Sequence, residues 1–154
     1  MKAVSTVGYD LYSERFGQPQ ITPAALIKSL IVKAAAEVEG HRFSTHFLIG
    51  EWVDVVDAWQ LRSWEEYRDV SRLGRKPRIG GKQRETLWTI FEHVRAGLAG
   101  RGVVTWSDVF GRLTDSLTES GSQPFEFAVV DEAPDLGLAE PDRLVADVDA
   151  ALVQ

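Results

Sequence analysis

Asp131 and Glu132 are the two residues of this sequence whose type and position best suit catalysis. They directly follow a short apolar run, FEFAVV at 125–130, whose aromatic and β-branched residues predict a strand. Ligands of open α/β folds bind at the carboxyl ends of strands, where adjacent carboxylates can hold Mg²⁺ and polarise a water for phosphoryl transfer. Asp131 would hold the metal, and Glu132 would orient or deprotonate the water. A strand followed by a solvated acidic turn is the other interpretation of these two acids.

A phosphate-binding loop, which such chemistry also needs, is not recognisable in the chain. The nearest candidate is RIGGKQRE at 78–85, where Gly81 and Lys82 are followed by Gln83 instead of Ser or Thr. The motif also requires a Gly where this chain has Lys76, and no strand precedes the segment. We interpret the segment as a basic loop leading into a helix, and we expect no ATP turnover from this chain alone.

A basic segment, residues 68–84, contrasts with the acidic end of the chain. It holds seven Lys or Arg and one Asp, whereas residues 131–149 hold seven Asp or Glu and one Arg. Such a segment can contact phosphates and make binding depend on salt, although a solvated helix end balanced by nearby acids is equally compatible with the charges. The candidate DNA-binding residues are Arg68, Arg72, Arg75, Lys76, Arg78 and Lys82.

Most of the chain shows the spacing of amphipathic helices. We predict a mainly α fold, a helical bundle-like subdomain with one C-terminal strand followed by a helix. Caps are expected at Thr22, at Ser63 with Glu66, and at Thr105. The predicted helices span 22–40, 47–61, 64–73, 82–99 and 106–117, with a last helix over 141–153 after the strand.

The tryptophans divide into two groups. Trp52, Trp59 and Trp88 fall on apolar stripes and are predicted to be core residues. Trp64 and Trp106 lie in first turns of predicted helices, where they can pack back or lie exposed. Trp64 is near the basic segment and is the candidate for base stacking.

The bulk properties restrict the class of protein. The chain has 154 residues, a net charge of −6 and no Cys. The negative net charge argues against a protein that coats nucleic acid uniformly, and the absence of Cys rules out thiolate metal sites. No apolar run is long enough for a membrane span and no secretory signal is recognisable, so we expect a cytoplasmic protein. The histidines show no metal-binding spacing; they are His41, His46 and His93.

The string FEFAVVDEAPDL resembles the Walker B segment, VDEAQDL, of UvrD/Rep-type superfamily 1 DNA helicases. Upstream, FLIGEWVDVVDAWQLRSWEEYRDVSRLGR and LWTIFEHVRAGLAGRGVVTWSDVFGRL resemble the helical 1B subdomain that precedes Walker B in this family. The resemblance covers about residues 45–145. It implies a helical 1B-like subdomain over 1–120, and over 121–154 the Walker B strand and following helix, a remnant of a RecA-like domain.

The resemblance also implies roles and partners. Asp131 would be the Mg²⁺ ligand and Glu132 the catalytic carboxylate, both at an ATP site of a longer parent enzyme, with no cofactor expected on this chain alone. The implied partners are the backbone of duplex DNA and the remainder of the helicase polypeptide. Pro134 stands where the family has a Gln that couples nucleotide state to DNA, and Pro lacks both the amide side chain and the backbone donor.

Two other interpretations stay open at this point. The helices could form a non-enzymatic module that binds DNA or protein, with Asp131 and Glu132 as surface acids, or a structural helical domain with a fortuitous Walker B-like string. If the chain is an isolated piece, its lone strand over 125–130 lacks partners in a sheet, so these residues are expected either to pair between chains, which gives self-association, or to detach from the helical body.

Overall fold

Helices make up nearly all the regular structure in the part of the chain that the computed structural model describes, residues 4–70 and 79–121. The chain is therefore mainly α, as predicted. The predicted strand over 125–130 and the predicted helix over 141–153 lie outside the described residues. The described helices are α1 (Val4–Phe16), α2 (Ala24–Glu37), α3 (Thr45–Glu51), a π-helix (Trp52–Asp57), α4 (Trp64–Asp69), α5 (Gly81–Ala99) and α6 (Trp106–Ser120).

The helices divide between two compact units. One, which we call the α2–α5 unit, contains α2, α3, the π-helix, α4 and α5. The other, the α1–α6 unit, contains α1, the turn Ala58–Gln60 and α6. Each unit is described separately below.

The core of the α2–α5 unit is built on α5. Five apolar residues that repeat at helical spacing along α5 form a stripe, and all of them are buried: Leu87, Ile90, Phe91, Val94 and Leu98. The 19-residue length of α5 lets this stripe pack along α2, which contributes buried Leu30, Ile31 and Ala34. Burial of apolar side chains that repeat at helical spacing is the main stabilising term in this unit.

The N-terminus of α2 differs from its prediction because of a tertiary contact. Thr22 does not cap the helix; Pro23 occupies the cap position without a side-chain hydrogen bond. The Thr22 backbone N–H instead donates to the Val104 carbonyl at 2.9 Å, beside a parallel bridge between Ile21 and Val104. Residues 20–22 are thus held extended, and the helix spans Ala24–Glu37 rather than 22–40.

The predicted helix over 47–61 is two elements followed by a turn. Thr45–Glu51 is α-helical with a Ser44 cap, and Trp52–Asp57 is a π-helix. The chain then turns, and Gln60 adopts a left-handed backbone with φ of 51°. The prediction that Trp59 is a core residue is wrong, since this side chain is 52% exposed. The α-helical period that placed it on the apolar stripe does not continue past Glu51.

The capping predictions for α4 and α6 are confirmed. Ser63 and Glu66 form a capping box at α4, in which the Glu66 N–H donates to Ser63 Oγ at 3.2 Å. At α6, Thr105 Oγ1 accepts from the Asp108 N–H at 3.1 Å, and the Asp108 carboxylate accepts from the Thr105 N–H. α6 runs to Ser120, beyond the predicted 117, and ends at Gly121 with a left-handed φ of 60°.

Helix α1 has no counterpart in the predictions. Its sequence, VSTVGYDLYSERF, separates apolar and polar residues only weakly, so no stripe is evident. It packs on α6, where Gly8 lets the Phe110 ring approach: a Cβ at this position would lie 2.6 Å from Phe110 Cε1. Tyr12 is the other buried residue of this helix. No helix within the described part of the chain is long and apolar enough to cross a membrane.

Phe91→Ala tests whether the core of the α2–α5 unit depends on the α5 stripe. The Phe91 side chain is 0% exposed and its ring lies 5.8 Å from that of Trp52. Its truncation should lower the free energy of unfolding by about 3–5 kcal/mol, because it removes apolar contacts and leaves a cavity. Urea denaturation followed by tryptophan fluorescence measures this change.

The control for this experiment is Val32→Ala on α2, where the side chain is 48% exposed. Its effect should stay within about 0.5 kcal/mol. Equal losses of unfolding free energy in Phe91→Ala and Val32→Ala would show that the stripe of α5 is not the core.

Candidate nucleic-acid interface

The structure describes only the two ends of the basic segment 68–84. Arg68 lies in the last turn of α4, and Lys82 and Arg84 lie in the first turn of α5, all three exposed or half-buried. The predicted contact residues Arg72, Arg75, Lys76 and Arg78 lie outside the described residues. The structure therefore shows how the segment is anchored.

A hydrogen bond joins the two ends of the segment. The Arg84 guanidinium Nη1 donates to the backbone carbonyl of Arg68 at 2.6 Å. Carbonyls in the last turn of a helix lack intrahelical donors and carry partial negative charge, so a guanidinium is a favourable partner there. The end of α4 and the start of α5 therefore lie at neighbouring points.

Aromatic packing holds α4 on α5 immediately before the segment. Tyr67 is fully buried, with its ring stacked on Trp88 at 5.5 Å and edge-on to Phe91 at 6.1 Å. Its hydroxyl donates to Glu51 Oε1 at 2.8 Å. Such aromatic pairs add stability beyond their buried area. The packing of Tyr67 thus fixes the place in the fold from which the basic segment starts.

Glu51 is a buried acid that sequence analysis missed. It is 3% exposed and lies at the end of α3, where its carboxylate accepts the Tyr67 hydroxyl hydrogen bond. Desolvation of a carboxylate is costly unless hydrogen bonds compensate for it. Tyr67 is sixteen residues from Glu51 in the chain, so the helical pattern around Glu51 does not indicate this bond. Only the packing of α4 brings the two together.

Arg68 is neutralised by its neighbour. Its Nε and Nη2 donate to the two carboxylate oxygens of Asp69 at 2.7 and 2.9 Å. This hydrogen-bonded contact lowers the pKa of the Asp69 carboxyl and raises the pKa of Arg68, and the attraction between the two charges acts in the same directions. Arg68 therefore presents less net positive charge to a phosphate than its residue type suggests.

The tryptophans near the segment pack mainly inward. The predictions that Trp52 and Trp88 are core residues are confirmed. Trp64, the candidate for base stacking, is half-buried against the core of the α2–α5 unit, with its ring 6.5 Å from that of Tyr67. Part of its surface stays accessible. Trp106 at the start of α6 is exposed.

His41 has a structural role in the turn that follows α2. Its Nδ1 accepts the Phe43 backbone N–H at 3.3 Å, and its Nε2 lies 2.9 Å from the Ala35 carbonyl, which fits a neutral ring protonated at Nε2. The ring also stacks on Phe43 at 5.5 Å. The imidazole thereby closes the turn that follows α2.

The predicted catalytic and metal-binding residues, Asp131 and Glu132, lie outside the described residues. Across 4–70 and 79–121, no three His, Asp or Glu side chains come together in a way that could hold a metal ion.

In comparisons with known proteins, no family model, no curated protein and no solved structure matches the chain.

The pairing of Arg68 with Asp69 can be tested by titration. In Arg68→Gln, the pKa of the Asp69 carboxyl should rise to its ordinary value, because the guanidinium hydrogen bonds are lost. Carboxyl ¹³C NMR as a function of pH measures this. In the unchanged chain, the pKa of the Asp69 carboxyl is lower in the folded state than in the unfolded state. Any stability that the pair contributes is therefore present at pH values above the ordinary pKa of Asp, and it is lost as the pH falls through the lowered pKa.

Arg62→Gln is the control, since Arg62 is an exposed cation that precedes α4. It should leave the titration of Asp69 unchanged. An Asp69 pKa that is the same with and without the Arg68 guanidinium would contradict the pairing.

Proposed function

We propose that this chain is an interior part of a UvrD/Rep-type, ATP-dependent DNA helicase. It would contribute a helical subdomain that faces duplex DNA and the two carboxylates of the Mg-ATP site. The observation that carries the proposal is the string FEFAVVDEAPDL, which places two adjacent acids directly after an apolar β-branched run and downstream of a helical body. Asp131 and Glu132 are the residues that phosphoryl transfer would use.

The two carboxylates of the proposed site would have different chemical roles. Mg²⁺, when bound with ATP, would neutralise charge on the phosphates, and Asp131 would hold it directly or through its waters. Glu132 would accept a hydrogen bond from the attacking water and orient it. The phosphate-binding loop would come from another part of the parent polypeptide, which is why the chain alone is proposed to be inactive.

The basic segment supports the DNA-facing role. Its two described ends are joined by the bond from Arg84 to the Arg68 carbonyl, and Tyr67 anchors α4 beside it. The cations would contact backbone phosphates, so binding would be independent of sequence and weakened by salt.

A specific observation favours a second candidate function, a non-enzymatic module that binds DNA or protein. The α2–α5 unit has its own buried core and presents both ends of the basic segment without any use of Asp131 or Glu132. The two candidate functions differ in whether a phosphate-binding loop has to be part of the same polypeptide. The helicase proposal requires a phosphate-binding loop encoded upstream in the same reading frame, whereas the module does not.

Arg72→Ala combined with Arg75→Ala tests the basic segment. The double variant should weaken binding to a fluorescein-labelled DNA duplex and flatten its salt dependence, because each lost phosphate contact lowers the slope of log K against log salt by about 0.9. Fluorescence anisotropy at several salt concentrations measures both quantities. The matched control is Lys28→Ala with Lys33→Ala, which removes the same charge from exposed positions of α2.

Binding that is identical in the Arg72/Arg75 variant and in the wild type at low salt would remove the basic segment from the interface. Equal weakening in the Lys28/Lys33 control would attribute the effect to net charge alone.

Glu132→Gln tests the catalytic assignment in a polypeptide that joins this chain to a phosphate-binding loop. Gln keeps the size of the side chain but cannot accept a proton, so ATP hydrolysis should fall by at least about 100-fold while nucleotide binding is retained. Steady-state phosphate release and binding of a fluorescent ATP analogue measure the two effects. The control is Glu140→Gln, which neutralises an acid further along the sequence and should leave the rate of ATP hydrolysis nearly unchanged. A normal rate of ATP hydrolysis in Glu132→Gln would contradict the assignment of Glu132.

A further inference from the structure

One strip of α1, beside the contact of this helix with α6, carries two half-buried apolar side chains between two acids. We call it the outer strip of α1 and define it by Val7, Asp10, Leu11 and Glu14. These residues recur at the three- and four-residue spacing that places side chains on one side of a helix. α6 packs on another side of α1, the one that contains Gly8.

A cavity of about 570 Å³ lies against the outer strip. All four residues of the strip line it, together with Tyr9, Ser13 and Gln18. Gln18 follows Gly17, which turns the chain after α1 with a left-handed φ of 85°. A space of this size encloses a group as large as several side chains. The outer strip can therefore accept an apolar segment of chain.

The described part of the chain ends close to the last turn of α1. In the first half of both helices, the Phe110 ring lies against Gly8. Near their ends, Arg15 Nη1 donates to Ser116 Oγ at 2.9 Å. The two helices therefore run parallel, and their last turns are neighbours. α6 ends at Gly121, where a left-handed φ of 60° changes the direction of the chain.

The apolar run FEFAVV at 125–130 starts within reach of the outer strip. Counted from the bond between Arg15 and Ser116, Gly121 lies five residues further along α6. Leu11 lies four residues back along α1. At about 1.5 Å per helical residue, Gly121 and Leu11 differ by about 14 Å along the helix axes. An extended chain advances about 3.3 Å per residue, so the first residues of the run can reach Leu11.

The apolar run suits the outer strip better than the acidic stretch 131–149, which follows it in sequence. Asp10 and Glu14 flank Leu11 and would repel a stretch that holds seven acids. In an extended run, the two Phe and the first Val lie on one side, and Glu126, its single charge, falls on the other. The run can therefore present an apolar side to the strip while its carboxylate stays in solvent.

We propose that residues 125–130 dock on the outer strip of α1 within the same chain. Their Phe side chains would cover Val7 and Leu11 and remove apolar surface of both partners from water. The docking does not rest on the proposed function, although it has a consequence for it. A run that is bound to α1 is not free to pair in a sheet, so docking and assembly of the Mg-ATP site would compete for the same residues.

A disulfide between the strip and the run tests the docking in the full chain. The natural sequence has no Cys, so Leu11→Cys combined with Phe127→Cys introduces two thiols without a background. Under mild oxidation this pair should form an intramolecular disulfide at least about tenfold faster than a control pair, because docking raises the effective concentration of the two thiols. Peptide mass spectrometry identifies the bond, and size-exclusion chromatography shows whether the product is one chain.

The matched control pair is Val32→Cys with Phe127→Cys, which places the first thiol at an exposed apolar position of α2. Equal rates of intramolecular bond formation in the two pairs would overturn docking on α1. A Leu11/Phe127 disulfide that joins two different chains would also overturn it and would show that the run pairs between copies.

Chymotrypsin cleavage after Phe125 and Phe127 measures the docking without a cross-link. Leu11→Ser should accelerate this cleavage about tenfold, because loss of one apolar contact raises the fraction of chains in which the run is undocked. The control Val32→Ser should keep the original rate. Circular dichroism checks that each variant is folded, and Val7→Ser, which should also accelerate cleavage, keeps the test valid if Leu11→Ser does not fold.

The outcomes separate the docking from the helicase proposal. Unchanged cleavage in both Leu11→Ser and Val7→Ser would overturn the docking and leave the proposed Mg-ATP site in place. Equal acceleration in the Val32→Ser control would also overturn it. Normal ATP hydrolysis in Glu132→Gln would contradict the catalytic assignment without affecting the docking of residues 125–130.

Discussion

The burial of Tyr67 is the constraint on which the described part of the proposed interface depends. One side chain packs its ring against Trp88 and Phe91 of α5 and donates its hydroxyl to Glu51 at the end of α3. Three elements of the α2–α5 unit therefore meet at one residue, in a place with 0% exposure. The basic segment begins one residue later, so its start is positioned by the hydrophobic core.

The arginines of the described residues have partners of different chemistry. Arg84 bonds a helix-end carbonyl, and Arg68 pairs with its neighbour Asp69. Hydroxyl groups hold Arg15 and Arg112. Counting basic residues along the chain treats all four alike, although the interaction with a phosphate depends on how much of each charge a neighbouring carboxylate has already neutralised.

The proposed chemistry and the proposed DNA contacts belong to different parts of the chain. The acids at 131 and 132 would act only with a phosphate-binding loop from elsewhere in a parent enzyme, because a carboxylate pair alone cannot hold the phosphates of ATP. The basic segment is proposed to bind the backbone of DNA without reading its sequence. This division is compatible with a motor that holds duplex DNA with one region and hydrolyses nucleotide with another.

The sequence by itself determined the mainly α class, the apolar stripe of α5 and the caps at Ser63 and Thr105, because these features depend on residues within one or two helical turns. Tertiary contacts decided the rest. Pairing of Thr22 with Val104 shortened α2, the π-helix after Glu51 left Trp59 in solvent, and packing on α6 made a helix of a segment with a weak pattern. The bonds of Tyr67 to Glu51 and of Arg112 to Tyr12 join residues that are distant in sequence, so only the folded chain brings these side chains together.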